Sequence, residues 1–221
     1  MSPRPYKQDH RAATHAATRA RIVRATVELH AAQGSLATTY AMIAARAGVA
    51  PQTVHNHFPT SAALHHACIG LATADGPQIG PEVFDGLAHT RERVAALVQA
   101  LIRQYSYVQQ WMRWSHEAAV IPEIAQLIDR SRRELRDLLA LAIAPNFDPA
   151  PPRLLDLLGL LLDYQSWALL RTRKDGGDIG ELVIDAALAL VRHHQDPPGG
   201  KPSRPKGSTR QRKPEKEDQR T

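Results

Sequence analysis

The chain has 221 residues, 43% of them hydrophobic and 23% charged, with one cysteine and a formal net charge of +6. That length allows one or two domains with a real core, and the composition is that of an ordinary soluble globular protein. Cys68 has no second cysteine to pair with, which excludes an internal disulfide and a multi-thiolate zinc site and points to a reducing, cytoplasmic setting.

Charge is placed unevenly. Residues 1–21 carry five Lys/Arg against Asp9, a net of +4, and residues 195–221 carry eight against four acids, again +4, which leaves −2 for the body. Basic ends on a near-neutral body suit an anionic partner approached at the termini, although a tail can be basic merely to stay soluble. The N-terminal segment has no apolar run suited to a signal peptide. The greasiest stretch, LLDLLGLLLDYQSWALL from Leu154, is interrupted by Asp156, Asp163 and Gln165. It is too short and too charged for a good membrane span, and no membrane partner is expected.

Residues 1–17 read as a basic flexible arm. From 18 to 194 the period is helical throughout, and no convincing alternation of two appears, so an all-α fold is expected. The first helix is predicted over 18–33, with Ile22, Val23, Val27 and Leu29 facing inward and Gly34 as its stop. Thr38 and Thr39 offer an N-cap for a second helix from Tyr40 to about Arg46. Ala47-Gly48-Val49 is a tight turn, and a short third helix runs over 50–57 with Pro51 in its first turn, where a missing N–H costs little. A fourth begins near Pro59-Thr60-Ser61.

The Gly/Pro-rich stretch DGPQIGPEVFDG, residues 75–86, marks a boundary. It separates a domain over 18–74 from a helical domain over 75–194. In the second domain one long helix carries Val94, Leu97, Val98, Leu101 and Tyr105 on one face, and another runs over 122–143. Two last helices are predicted over 152–174 and 178–194, joined by Asp175-Gly176-Gly177. Residues 195–221 are rich in proline, glycine and charge with nothing apolar to bury, and are expected to be a disordered basic tail. No internal repeat is found.

Helix, glycine-centred tight turn and helix together make the arrangement of a helix-turn-helix DNA reader. The second of the pair must stand clear of the body to enter a major groove about 12 Å wide. Pro51, Gln52, Thr53, His55, Asn56 and His57 give it short polar side chains for that face, while Ile43, Ala44, Ala47, Val49, Val54 and Phe58 fit the buried side.

Over about 45 residues, from Arg21 to Leu64, the letters resemble the N-terminal domain of the TetR family of transcription regulators. The resemblance rests on Ile22, Ala25, Leu29, Gly34, Thr39, Ile43-Ala44, Ala47-Gly48-Val49, Thr53-Val54, His57-Phe58 and Leu64 at the family's spacing. It implies that Thr38, Thr39 and Tyr40 approach backbone phosphates and sometimes a base. It places Pro51, Gln52 and Thr53 on the leading edge of the reading helix with Asn56 one turn on, and His57 on a phosphate. Two positions depart from the family, which usually has tyrosine at His55 and lysine at Ser61. Ser61 can still donate a hydrogen bond near a helix N-terminus whose dipole favours phosphate. Weaker anchoring is expected, offset by the basic arm lying in the adjacent minor groove.

Other chemistries fare worse. Histidines two apart on a helix, such as His55 and His57, point about 200° apart and cannot chelate one ion, so no metal is expected. His116-Glu117 lacks a second histidine at metalloprotease spacing. Cys68 lacks a helix N-terminus or basic neighbour and reads as a small buried hydrophobe. With no phosphate loop and no nucleophile elbow either, neither an enzyme nor a cofactor is expected.

Trp111, Trp114 and Trp167 sit with Tyr105 and Tyr164 on the middle helices. They are expected to wall a pocket for a small-molecule effector, apolar or aromatic by mild preference, oriented by Gln104, Arg113, His116 or Gln165. The leucine run from Leu154 and the two apolar faces of the last helix call for a partner copy, so a homodimer through the last two helices is expected, which would match a palindromic operator. The whole is read as a ligand-responsive regulator of transcription, most simply a repressor, whose ligand shifts the 75–86 connector and tilts the heads apart. The rival is a sequence-nonspecific, architectural DNA binder acting through its basic ends.

Overall fold

A computed structural model describes residues 5–172 and 178–196, with side chains from His10 onward apart from those of 113 and 114. The expected tail beyond 196, the 173–177 joint and the side chains of Arg113 and Trp114 lie outside the described residues. The described chain is helical, without strands. It orders α1 (Pro5–Gln33), α2 (Tyr40–Ala47), α3 (Pro51–His57), α4 (Ser61–Ala74), α5 (Thr90–Val108), α6 (Pro122–Ile143), α7 (Pro152–Leu161), α8 (Tyr164–Leu170) and α9 (Ile179–Gln195). Short 3-10 segments, Pro81–Phe84 and Gln109–Glu117, lie before and after α5.

The first helix begins at Pro5 rather than at residue 18, so residues 5–17 of the expected arm are helix. This half carries no apolar stripe. Alanine, lysine, arginine and glutamine have high intrinsic helix propensity, and proline is at home at the first helical position. The second half of α1 buries Ile22, Val23, Ala25, Thr26 and His30 against α2 and α4.

The first core joins Ile22, Val23, Ile43, Ala44, Val54, Phe58, Leu64 and Cys68. Phe58 is only 1% exposed, and its full burial stabilises the unit by about 2–3 kcal/mol. Cys68 is buried too, and desolvation pushes its thiol up to about 12, so it packs rather than reacts.

The second core is larger and gathers α5, α6, α7 and α9, with Leu97, Leu139, Ile143, Leu154 and Leu158 nearly inaccessible. Phe84 drops into it from the 75–86 connector, which is thereby anchored through its 3-10 turn. A small third cluster of Ala72, Ile121 and Ile124 bridges α4 and α6 at the joint between the two units.

The leucine-rich helix expected over 152–174 is broken in two. Leu162 leaves helical geometry, and Asp163 turns extended, where its Oδ1 accepts from the N–H groups of Gln165 and Ser166. That side-chain cap starts a new helix in a new direction. No helix among the described residues is long and apolar enough to cross a membrane.

Candidate nucleic-acid interface and effector cleft

The turn between α2 and α3 follows from local chemistry. Thr39 Oγ1 accepts from Met42 N–H at 3.3 Å and starts α2. Gly48 ends it at φ 64°, a left-handed conformation without penalty for glycine, while the Val49 N–H donates to Ala44 O at 3.0 Å. Pro51 then opens α3.

With Val54 and Phe58 buried beneath it, α3 turns Pro51, Gln52, His55 and Asn56 outward, and Thr53 and His57 are half-buried. Gln52 Nε2 donates to Asn56 Oδ1 at 3.0 Å, so the two amide side chains are ordered as a pair. The Tyr40 hydroxyl donates to Phe58 O at 3.2 Å and its ring lies 4.5 Å from that of His55. This fastens the start of α2 to the end of α3. Burial pushes the Tyr40 phenol up, which keeps it a neutral donor.

Thr38 spends its hydroxyl proton on Gly34 O at 2.8 Å, whereas Thr39, exposed, uses its oxygen only as an acceptor and keeps its proton for an outside partner. Ser61 is exposed at the first position of α4, whose cap is Thr60.

Two α1 residues join this edge that sequence reasoning did not place there. The His15 ring lies 4.1 Å from that of His57, and the Arg19 guanidinium sits 4.7 Å from the centre of the Phe58 ring. Burial, then His15 and Arg19, hold the His57 imidazole below its usual range and so uncharged near neutrality. The available signal was the four-residue spacing of Arg11, His15 and Arg19, which aligns them on one face of α1.

The aromatic residues of the second domain divide. Tyr105, Tyr164 and Trp167 meet with ring centres 5.5–5.7 Å apart, and the Tyr105 hydroxyl donates to Leu162 O at 2.6 Å. Tyr105 and Trp167 border an apolar void of about 20 Å³, room for no more than a water-sized group. Trp111 turns away from that group and sits 5.0 Å from the Tyr107 ring in the joint cluster. Gln104 donates to Pro77 O and so holds the connector.

A roomier concavity, about 500 Å³, opens between α1, the 3-10 segment 109–117 and α8. Ala31, Met112, Tyr164 and Ala168 line it together with Gln109, Gln110, Ser115, His116 and Gln165. Of the seven expected pocket residues with described side chains, Tyr164, His116 and Gln165 border this cleft, whose described wall is more polar than aromatic. Among the described residues no three His, Cys, Asp or Glu side chains gather to hold a metal.

Sequence reasoning also missed Glu117. Its carboxylate reaches across the joint and accepts from the N–H groups of Ser35 and Leu36 at 2.9 and 3.2 Å. No local pattern signals a contact between residues 82 positions apart.

Residues 22–68 match the family model of bacterial regulatory proteins, tetR family. No curated protein sequence matches. Among solved structures, the multidrug binding protein EbrR complexed with imidazole is similar in fold, with a TM-score of 0.53 at 20% identity over 78% of this chain and 88% of that one. A TetR transcriptional regulator from Rhodococcus sp. RHA1 aligns at 16% identity over 79% of this chain and 95% of that one, with a TM-score of 0.38.

Proposed function

We propose that this chain, whose residues 22–68 match the model of bacterial regulatory proteins of the tetR family, is a dimeric, ligand-responsive repressor that reads a palindromic operator with α3. The carrying observation is the outward edge of α3, with Gln52 and Asn56 paired in the open above a buried Val54 and Phe58. Side-chain amides so presented suit bidentate recognition of adenine in the major groove, with Thr53 beside them for a thymine methyl or a polar base edge. Thr39, Tyr40, His57 and Ser61 serve the flanking phosphates, which fix register rather than sequence.

Helical rather than extended, residues 10–19 join the phosphate contacts. Arg11 and Arg19 make no ion pair among the described residues, and they flank His15, which rests on the end of the reading helix. One turn of helix separates each from the next, about 6 Å along the axis. That basic face takes the anchoring role a lysine at position 61 would have had.

The dimer is supported by Leu160, Leu169 and Leu182, which are 70%, 72% and 44% exposed on α7, α8 and α9. Exposed leucines on the last three described helices are the kind of apolar surface that a second copy covers. The effector is a small polar or amphipathic molecule in the cleft beside His116, Tyr164 and Gln165, where the glutamines supply both donors and acceptors. It acts by binding the DNA-incompetent state more tightly than the competent one.

Selection from a random duplex pool at physiological salt tests the reading. The expected result is an enriched palindrome, lost with Gln52→Ala together with Thr53→Ala. Enrichment of no sequence, with binding abolished by removal of residues 197–221, would establish the sequence-nonspecific rival instead.

A further inference from the structure

The joint between the reading head and the second domain is built around one carboxylate. Glu117 ends the 3-10 segment that walls the cleft, immediately after His116. Its Oε2 accepts from Ser35 N–H at 2.9 Å and its Oε1 from Leu36 N–H at 3.2 Å, so both oxygens hold the loop that leads into α2. An ionised acceptor makes such bonds roughly twice as strong as neutral ones.

Three neighbouring features show that the loop is shaped around this carboxylate. Gly34 lies at φ +89°, and a Cβ there would come within 2.6 Å of Glu117 Oε1. The backbone favours glycine there, and a Cβ would push the carboxylate off its two N–H donors. Ser35 is 7% exposed, with its hydroxyl bonded to His65 Nε2 on α4 at 2.7 Å, and His65 Nδ1 lies 3.5 Å from Glu123 Oε2 on α6. From Ser35 the chain passes to Thr38, tied back to Gly34 O, and to Thr39, which caps α2. Only Ala37 and Thr38 therefore lie between the clasped Leu36 and Thr39, the cap of the first helix of the reader.

We infer that Glu117 is the positioning residue that holds α2 and α3 in the DNA-competent placement against the second domain. It touches no DNA and acts through the Ser35 and Leu36 amides. The inference rests on the reading of the chain as an operator-binding protein. Because the segment that carries Glu117 also borders the cleft, a molecule bound there lies one residue from the clasp.

The test compares the full-length protein with Glu117→Ala, Glu117→Gln and Gly34→Ala on the palindrome recovered by selection, well below the melting temperature. Glu117→Ala is expected to weaken operator binding at least tenfold while leaving the selected sequence and the salt dependence unchanged. Glu117→Gln retains one acceptor oxygen and falls between. Gly34→Ala, which displaces the carboxylate from the other side, weakens binding as Glu117→Ala does. A carboxylate that merely stabilises the fold would lower the melting temperature and leave the dissociation constant of the folded protein within twofold, which overturns the inference. Tighter operator binding by Glu117→Ala overturns it as well, since the clasp would then belong to the released state. Failure of the wild type to select any operator would instead defeat the proposed function.

Discussion

Substituting the same residue pair at two glycines should move stability in opposite directions. Gly48 sits at φ 64° at the end of α2, with nothing within 4 Å of an added Cβ. Space is therefore not the obstacle, and the whole cost of Gly48→Ala is the left-handed backbone, about 1–2 kcal/mol. Gly70 lies inside α4, also with nothing within 4 Å of an added Cβ. There alanine restricts the unfolded chain and favours the helix, which stabilises by about 0.5–1 kcal/mol. For a chain of this length each kcal/mol moves the melting temperature by roughly 2–4 °C. Urea denaturation followed by circular dichroism measures both variants against wild type. Shifts of the same sign, or a neutral Gly48→Ala, would refute the claim that the turn is set by the backbone of residue 48 alone.

Three further outcomes are expected. Replacing Arg11 and Arg19 together by glutamine removes four phosphate contacts from the dimer, two per protomer, and should flatten the dependence of log affinity on log salt by about 3.6, at 0.9 per contact, on operator and scrambled duplex alike. An unchanged slope in binding titrations would remove α1 from the interface. His30 is held down to about 4 from 6.5, first by burial and then by the charge of His65. Its neutral form is favoured by folding, so this contribution is constant above about 6.5 and stability is lost as pH falls from there toward 4, by on the order of 2–3 kcal/mol. Urea midpoints across that range should fall less steeply for His30→Gln, and parallel curves would contradict the assignment. Leu169→Glu, at a side chain 72% exposed, should leave the fold intact and convert a dimer to monomers in light scattering. An unaltered dimer would place the interface elsewhere.

The sequence was most informative where structure is decided within a few residues. The Thr39 cap, the Gly48 turn and the Pro51 start are local, and α2, α3 and α6 fall where their patterns place them. The first half of α1 lacks an apolar stripe, so periodicity had nothing to detect and propensity alone extends the helix to Pro5. The break at Leu162 was hidden by a continuous leucine run in which Asp163 looks like an interruption rather than a cap. Trp111 is expected to wall one pocket with Tyr105, but α5 ends at Val108 and the 3-10 segment that follows sets the indole beside the Tyr107 ring at the joint. The Glu117 clasp depends on how two cores come together, which no window of sequence contains.

The central claim is that sequence is read by α3. The most direct test is the ratio of dissociation constants for a scrambled duplex and the selected operator at one fixed salt concentration. The account predicts a ratio of at least about 10³ for the wild type, a collapse toward one for Gln52→Ala with Thr53→Ala, and no collapse when residues 197–221 are removed. A wild-type ratio near one, or a ratio that survives loss of Gln52 and Thr53, would contradict it.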